Sequence, residues 1–411
     1  MTGPWSAPDA AVAPARADVR ERWRIGVEGR AMVLVMAVLL AFGLVVVYSA
    51  SVVLATEHHL GSAYYFTRQL EGVVAGLVVF AVTAKTDAER WARWAWPIML
   101  VTLVLMLVTI LPFTAALAPR IHGARRFLFG ASVQPSEIAK LAVVIWTAML
   151  VVRKGPLLRR LTTGFLPFLL VIGALDVLAA LEPDLSVAMI YTVVMAIVLF
   201  AGGVRIGHFI LLGVLSVPLL WHEGGRLRYV AERVAAFRHL TTGAHTINYQ
   251  LQQSLIAVGS GGLFGVGLGN GRQQYGFVPF PYDDFVGSVI GEEWGFVGIL
   301  AVIVAFGVYG WMGFRIARTA RTPFQQLVAV GLTVTTLITA YLHIGVVIGL
   351  LPTTGLTLPF VSYGRSNLVL SMLMTGILVN IGSVRERVIG RAATDPHALA
   401  AQAASAAAVG V

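Results

Sequence analysis

The sequence predicts an all-α polytopic membrane protein of about ten transmembrane helices. Both termini are cytoplasmic, and a large extracytoplasmic loop separates helices seven and eight. Three observations carry this. Hydrophobic residues fill 57% of the 411 positions and charged ones 12%, against roughly 25% charged in a soluble domain; mean hydropathy is +0.81. Uncharged runs long enough to span a bilayer alternate with short charged loops. Arginine and lysine gather in every second loop.

The spans follow in order. The first covers 31–55. The second has its outer end at 66–72 and stops near Ala84. The third lies within 94–111 and the fourth covers 137–152. Spans five, six and seven are 164–181, 185–203 and 206–221, and the eighth runs from 285 to 314. No charged residue occurs between Thr322 and Gly364, but Pro352 and Pro359 break that stretch, so span nine ends near Leu351 and span ten covers 367–383.

Charge placement orients them. With the N-terminus inside, most of the 30 basic residues fall in cytoplasmic segments, such as Arg20 to Arg30, Arg153 to Arg160 and Arg315 to Arg321. This topology accounts for much of the net charge of +10 and leaves no need for a nucleic-acid partner. The first apolar run is too long for a cleaved signal peptide. The expected organisation is a cytoplasmic tail over 1–30, a transmembrane domain over 31–390 and a disordered cytoplasmic tail over 391–411. There is no cysteine, which excludes disulfides and thiolate metal sites.

Two outer segments stand out. The loop at about 222–284 holds Arg226, Arg228, Arg233, Arg238 and Arg272 and the glycine-dense GSGGLFGVGLGNGRQQ at 259–274. Long loops in compact domains are usually functional. The glycines fit no dinucleotide register; they suit either a half-helix packed tightly on its neighbours or backbone approaching a phosphate. The loop at 112–136 carries Arg120, Arg125 and Arg126. Such an outer cationic excess suits phosphate oxygens, since guanidinium forks match them; solvated loop charge is the alternative.

Carboxylates near an apolar span are expensive and mark pathways or reaction sites. Asp283 and Asp284 open span eight, and Glu292 and Glu293 follow inside it. Consecutive residues on a helix do not share one groove, so at most one of that glutamate pair is expected to be functional. Glu137 and Lys140, three apart, can form an ion pair or line a cavity. Glu182 and Asp184 open span six, where Asp184 can cap the helix or shape a cavity. Asp176 lies inside span five without an evident partner, and His343 reads as a polar residue packed between helices. Asp283 beside Asp284 predicts a raised pKa for Asp284, through burial and like charge.

The chain resembles the SEDS family of cell-wall polymerases, the FtsW, RodA and SpoVE group. The resemblance rests on GARRFLFGASVQPSEIAKL (123–141), EPDLSVA (182–188), YQLQQSLIAVGSGGLFGVGLGN (249–270), DFVGSVIGEEWGFVG (284–298) and GLLPTTGLTLPFVSYGRSN (349–367). PTTGLTLP is closer to the FtsW type. The resemblance implies a peptidoglycan glycosyltransferase in the bacterial cytoplasmic membrane, polymerising lipid II, the undecaprenyl-pyrophosphate-linked disaccharide-pentapeptide. Asp284 stands where the family has its essential aspartate and would act as general base. Substrate contacts are expected from Arg125, Arg126, Glu137, Lys140, Asp184, Arg233, Gln253, Arg272 and Ser362. A divalent cation, Mg2+ or Mn2+, is left open as cofactor and no metal ligands are assigned. Implied partners are a class B penicillin-binding protein, as transpeptidase, and other divisome or elongasome membrane proteins.

The chain departs from the family pattern at Phe280, Tyr282 and Asp283, which stand for the usual Glu, His and Thr. His343 replaces an Asn, and Arg365 replaces the second Gly of SYGGS. Two other functions fit a helical bundle with buried charge: a flippase for lipid-linked oligosaccharides, or a non-enzymatic division scaffold.

Overall fold

A computed structural model describes residues 19–114, 117–119, 125–128, 133–210, 246–272 and 275–389. The chain divides into two units. The smaller contains a two-stranded antiparallel sheet, β1 (Val19–Ile25) with β2 (Ser383–Ile389). Its register sets Glu21 opposite Arg387 and Arg22 opposite Glu386. Sequence periodicity does not announce this pairing, because β1 falls in the charged segment read as the N-terminal tail and β2 in the charged end of the segment read as the transmembrane domain. The larger unit, 26–382, is helical.

Its helices are α1 (Val27–Glu57), α2 (Tyr64–Lys85), α3 (Arg90–Ile110), α4 (Pro135–Lys154), α5 (Leu166–Leu181) and α6 (Leu185–Ala201), then α7 (Thr246–Gly261), α8 (Val286–Arg318), α9 (Pro323–Val347) and α10 (Arg365–Ile381). Seven described helical segments are long and apolar enough to cross a membrane. At 17 residues each, α6 and α10 reach the short limit for a span. Of the expected seventh span only 206–210 are described, and they are helical. The protein is a multi-pass membrane protein. Two expected boundaries shift: α1 begins at Val27 rather than 31, and α7 is a helix within the segment read as the outer loop.

Burial separates the layers. The apolar windows of α4 and α9 are 61% and 72% buried, against 28% for α2 and α3, so α4 and α9 form the centre and α2 and α3 the rim. Small residues allow the close approaches. Gly331 of α9 sits against Val144 of α4 and Val198 of α6. Gly376 of α10 faces Thr83 and the Phe80 carbonyl of α2.

The start of α2, residues 125–128 and the turns at 182–184, 275–285 and 348–364 gather at one end of the bundle, through the Tyr65–Tyr282, Arg126–Glu182, Ser362–Asp283 and Ser186–Thr354 contacts. The other end is tied by Asn380, whose amide spans the Ala84 carbonyl (2.8 Å) and the Ala88 N–H (3.0 Å). Arg315 pairs there with Glu28 at 3.0 Å. A Cβ on Gly26 would run into the Gly382 carbonyl, so α1 starts beside the end of α10.

One helix is broken on purpose. At Gly295, φ 67° and ψ −160° interrupt α8. The glycine-rich loop after α7 fills the gap: Val266 and Gly267 donate to the Glu292 and Glu293 carbonyls at 3.0 and 3.1 Å. In exchange Phe296 and Val297 donate to the Gly262 and Leu263 carbonyls at 2.9 and 3.1 Å. Four groups orphaned by the break are satisfied, as burial in a membrane protein requires. A Cβ on Gly261, Gly265 or Gly295 would strike the facing backbone. These glycines therefore serve close backbone packing.

Candidate active site

The 348–364 loop is the keystone of the shared end. His343 of α9 donates from Nδ1 to the Leu356 carbonyl at 2.6 Å and accepts from Gly287 N at Nε2, at 3.3 Å. A carbonyl only accepts, so the Nδ1–H tautomer is fixed. Ser186 of α6 donates to Thr354 O (2.8 Å), and Asn367 of α10 donates to Thr357 Oγ1 (2.7 Å). Gln69 of α2 donates to Ser362 O at 3.0 Å and accepts from Gly364 N at 3.3 Å. The loop is thus held by four helices.

The doubled aspartate packs against it. Ser362 Oγ donates to the Asp283 carbonyl and accepts from Leu358 N, both at 2.8 Å. Gly355 has φ +69°, and a Cβ there would stand 3.7 Å from Asp284 Oδ2. Glycine keeps the approach to that carboxylate open. Asp283 Oδ1 is buried without a partner among the described residues. The carboxyl of Asp283 is held well above the usual range by burial first, then by the charge of Asp284, then by Glu137. The like-charge coupling of the pair is seen on Asp283.

Glu137 leads into a second cluster. It pairs with Lys140 at 2.6 Å, both side chains buried on α4. Lys140 and Arg126 oppose the upward shift that burial imposes on Asp184. Arg126 lies 3.8 Å from Asp184. It donates to the Glu182 carbonyl (2.8 Å) and the Pro183 carbonyl (2.5 Å), so its fork clamps the turn between α5 and α6. Asp184 occupies the N-cap position of α6 without a side-chain cap bond. Glu182 accepts from Thr109, and burial pushes its pKa up to about 8.

Of the expected substrate contacts, Arg126, Glu137, Lys140, Asp184 and Ser362 therefore join one region with Asp283 and Asp284. Arg125 borders it, donating to the Leu111 carbonyl at 3.2 Å. Gln253 lies half-buried on α7 and Arg272 is exposed in the glycine loop. Arg272 contributes its backbone N–H, which donates to Glu292 Oε1 at 2.7 Å. Arg233 lies outside the described residues.

Glu292 and Glu293, expected to face different ways on α8, are both engaged by the glycine loop. Glu293 Oε1 accepts from Ser49 (2.5 Å) and from Gly269 N (3.1 Å), so both carboxylates reach the same wrapping loop. The loop curls around the broken end of α8 and meets both directions. Asp176, whose partner the sequence did not reveal, accepts from Thr192 at 2.7 Å.

Comparison with known proteins decides the lineage. A family model for FtsW, RodA and SpoVE, described as "Cell cycle protein", matches residues 30–387. The chain belongs to this family. It is 36% identical to the probable peptidoglycan glycosyltransferase FtsW of Trichlorobacter lovleyi, over 89% of this chain and 96% of that one. It is 33% identical to the stage V sporulation protein E of Bacillus subtilis, over 85% and 95%. Among solved structures, a peptidoglycan synthase complex described as coordinating polymerization and crosslinking matches with TM-score 0.70 at 23% identity, covering 85% of this chain and 96% of that one. The Thermus thermophilus rod shape determining protein RodA matches with TM-score 0.62 at 24% identity, covering 85% and 95%. These likenesses show the shared fold.

Within this FtsW/RodA/SpoVE member, the departures cluster. Tyr282 packs against Tyr65 and Tyr363, with ring centroids 4.8 and 5.5 Å apart. Arg365 begins α10 and lays its stem over Gly72 of α2. Sequence reasoning missed Gln69, Ser186 and Thr109. Their only signal is a polar side chain near the end of an apolar run, shared with many helix-satisfied hydroxyls.

Proposed function

We propose that this chain is a peptidoglycan glycosyltransferase that polymerises lipid II at the outer face of the bacterial cytoplasmic membrane. The observation that carries the reading is Asp284 at a bundle end, opposite Gly355 and beside a buried charged cluster, in a chain whose FtsW relatives bear that activity in their names. Asp284 takes the proton of the acceptor GlcNAc 4-hydroxyl as its oxygen bonds to C1 of the donor MurNAc. The C1–O bond to phosphate breaks, and undecaprenyl pyrophosphate leaves with the electron pair. Burial and the charge of Asp284 favour the neutral form of Asp283, which spares the base a second like charge.

An anionic pyrophosphate meets a region rich in carboxylates, so it needs positive charge. Arg125 and Arg126 border the region. Among the described residues no three His, Asp or Glu side chains are grouped to hold a metal. A Mg2+ or Mn2+ would be held through the unpartnered Asp283 Oδ1 once that carboxyl gives up its proton, with water and phosphate as its other ligands. Such an ion would supply charge neutralisation for the leaving group.

A class B penicillin-binding protein is the proposed partner, since an emerging strand must be crosslinked; the synthase complex sharing this fold supports it. A flippase would carry its charged groups near the bilayer midplane, whereas this cluster lies at helix ends. The test is to incubate the purified chain and a cognate transpeptidase with lipid II and look for glycan strands. Their absence with every candidate partner would overturn the reading.

A further inference from the structure

Three separate segments bring four tyrosines to one spot beside the doubled aspartate. Tyr64 and Tyr65 open α2, Tyr282 precedes Asp283, and Tyr363 follows Ser362. Ring centroids are 5.3 Å apart for Tyr64 and Tyr65, 4.8 Å for Tyr65 and Tyr282, and 5.4 Å for Tyr65 and Tyr363. Tyr282 and Tyr363 close the set at 5.5 Å.

The rings are held in place by the backbone beneath them. Gln69, 1% exposed, binds the peptide groups on both sides of Tyr363. Tyr363 N donates to the Tyr282 carbonyl at 2.9 Å. Little ordering is left for a ligand to impose. The cluster is nonetheless open: Tyr64 is 36% exposed, and the other three are partly exposed.

Two ordinary roles fit poorly. A packing cluster would bury its rings, and a membrane-interface belt would spread its aromatics around the perimeter. Here they converge from α2, the aspartate turn and the keystone loop. Arg68, with its guanidinium carbon 5.4 Å from the Tyr64 ring centre, is directed at an aromatic face. Aromatic faces with phenolic hydroxyls at their rims suit a ligand with C–H faces and a hydroxyl edge. A pyranose ring has that chemistry.

We propose that Tyr64, Tyr65, Tyr282 and Tyr363 form a stacking subsite for the N-acetylated hexose rings of the acceptor strand, next to the base that activates its terminal hydroxyl. The choice of saccharide rests on the glycosyltransferase reading; the aromatic platform rests on geometry alone. Stacking there would orient the acceptor toward Asp284 without adding charge to a crowded acidic region.

The test is a binding measurement that needs no turnover. The full chain in lipid nanodiscs is titrated with a lipid-free GlcNAc–MurNAc tetrasaccharide, followed by saturation-transfer NMR. The paired variant Tyr65→Leu/Tyr363→Leu should bind about tenfold more weakly, whereas Tyr65→Phe/Tyr363→Phe, which keeps the faces, should stay within about twofold. Should the leucine pair not fold, Tyr64→Leu on the exposed rim should still weaken binding by about threefold. Unchanged affinity in folded leucine variants, or no binding by the wild type, overturns the subsite. Tyrosine-dependent binding by a protein that makes no glycan would keep the subsite and sink the polymerase reading. Polymerisation with tyrosine-independent binding would do the reverse.

Discussion

Ser362 donates its hydroxyl to the main-chain carbonyl of Asp283 at 2.8 Å, and the same oxygen accepts from Leu358 N at 2.8 Å. One buried side chain thereby locks the keystone loop to the turn that presents Asp284. Replacing it with alanine strands the Leu358 N–H, at a cost of about 1–3 kcal/mol. Ser362→Ala should lower the apparent Tm and reduce kcat about tenfold with KM little changed, because the base loses its fixed approach. Thermal denaturation in detergent and initial rates of glycan formation check both. An unchanged kcat would separate the latch from the chemistry.

Arg126 is grouped by the sequence with Arg125 among the expected substrate contacts. Its fork is engaged with the Glu182 and Pro183 carbonyls. Arg126→Gln should therefore cost stability as well as substrate use, by about 1–3 kcal/mol. Arg126→Lys should recover only part of it, since an ammonium cannot reproduce the fork. Paired melting curves of the two variants decide this; a glutamine variant as stable as wild type would return Arg126 to the role of free loop charge.

The raised proton affinity of Asp283 predicts how stability follows pH. Folding raises the affinity of this carboxyl for its proton, so the folded chain binds more protons than the unfolded one above pH ~4. Its contribution to stability therefore falls as pH rises from there toward the raised pKa. Asp283→Asn removes that loss. In metal-free buffer the variant should match wild type near pH 4, then gain on it by up to about 1.4 kcal/mol per pH unit above that. A stability difference that does not depend on pH would contradict the buried, like-charge description of the pair.

The break in α8 gives a contrast between two glycines of similar backbone. Gly265 (φ +79°) has no room for a Cβ against the Glu293 carbonyl, whereas Gly269 (φ +75°) has open space. Gly269→Ala should cost only the left-handed conformation, about 1–2 kcal/mol. Gly265→Ala should add separation of the loop from the broken helix and lose the Val266 and Gly267 bonds. Equal melting temperatures for the two variants would mean that the loop does not hold the break closed.

These contrasts also show which parts were legible in advance. Most of the described membrane helices were, because a bilayer demands long uncharged runs; α8 was expected to start at 285 and starts at Val286. The pairing of Glu137 with Lys140 was also open to view, since three-residue spacing on a helix is local information. What crosses the fold was hidden. Gln69 lies more than 290 residues from its partners, and no local pattern connects α2 with the Ser362 turn. The Gly295 break was hidden too. A glycine in a long apolar run gives no sign that another loop repairs the helix from outside, so nothing in the sequence shows that Glu292 and Glu293, on different faces of α8, meet the same loop. The β1–β2 pairing escaped because its strands carry charge where alternating apolar residues would announce a sheet.

The central claim is that Asp284 is the base of a lipid II polymerase. The most direct measurement compares glycan synthesis by purified wild type and Asp284→Ala, each with the same transpeptidase partner and lipid II, after melting curves establish that both are folded. Loss of a positioned general base should lower the rate by about 10²–10⁴-fold while membrane insertion and partner co-purification persist. An Asp284→Ala protein that elongates glycan strands at close to the wild-type rate would contradict the account.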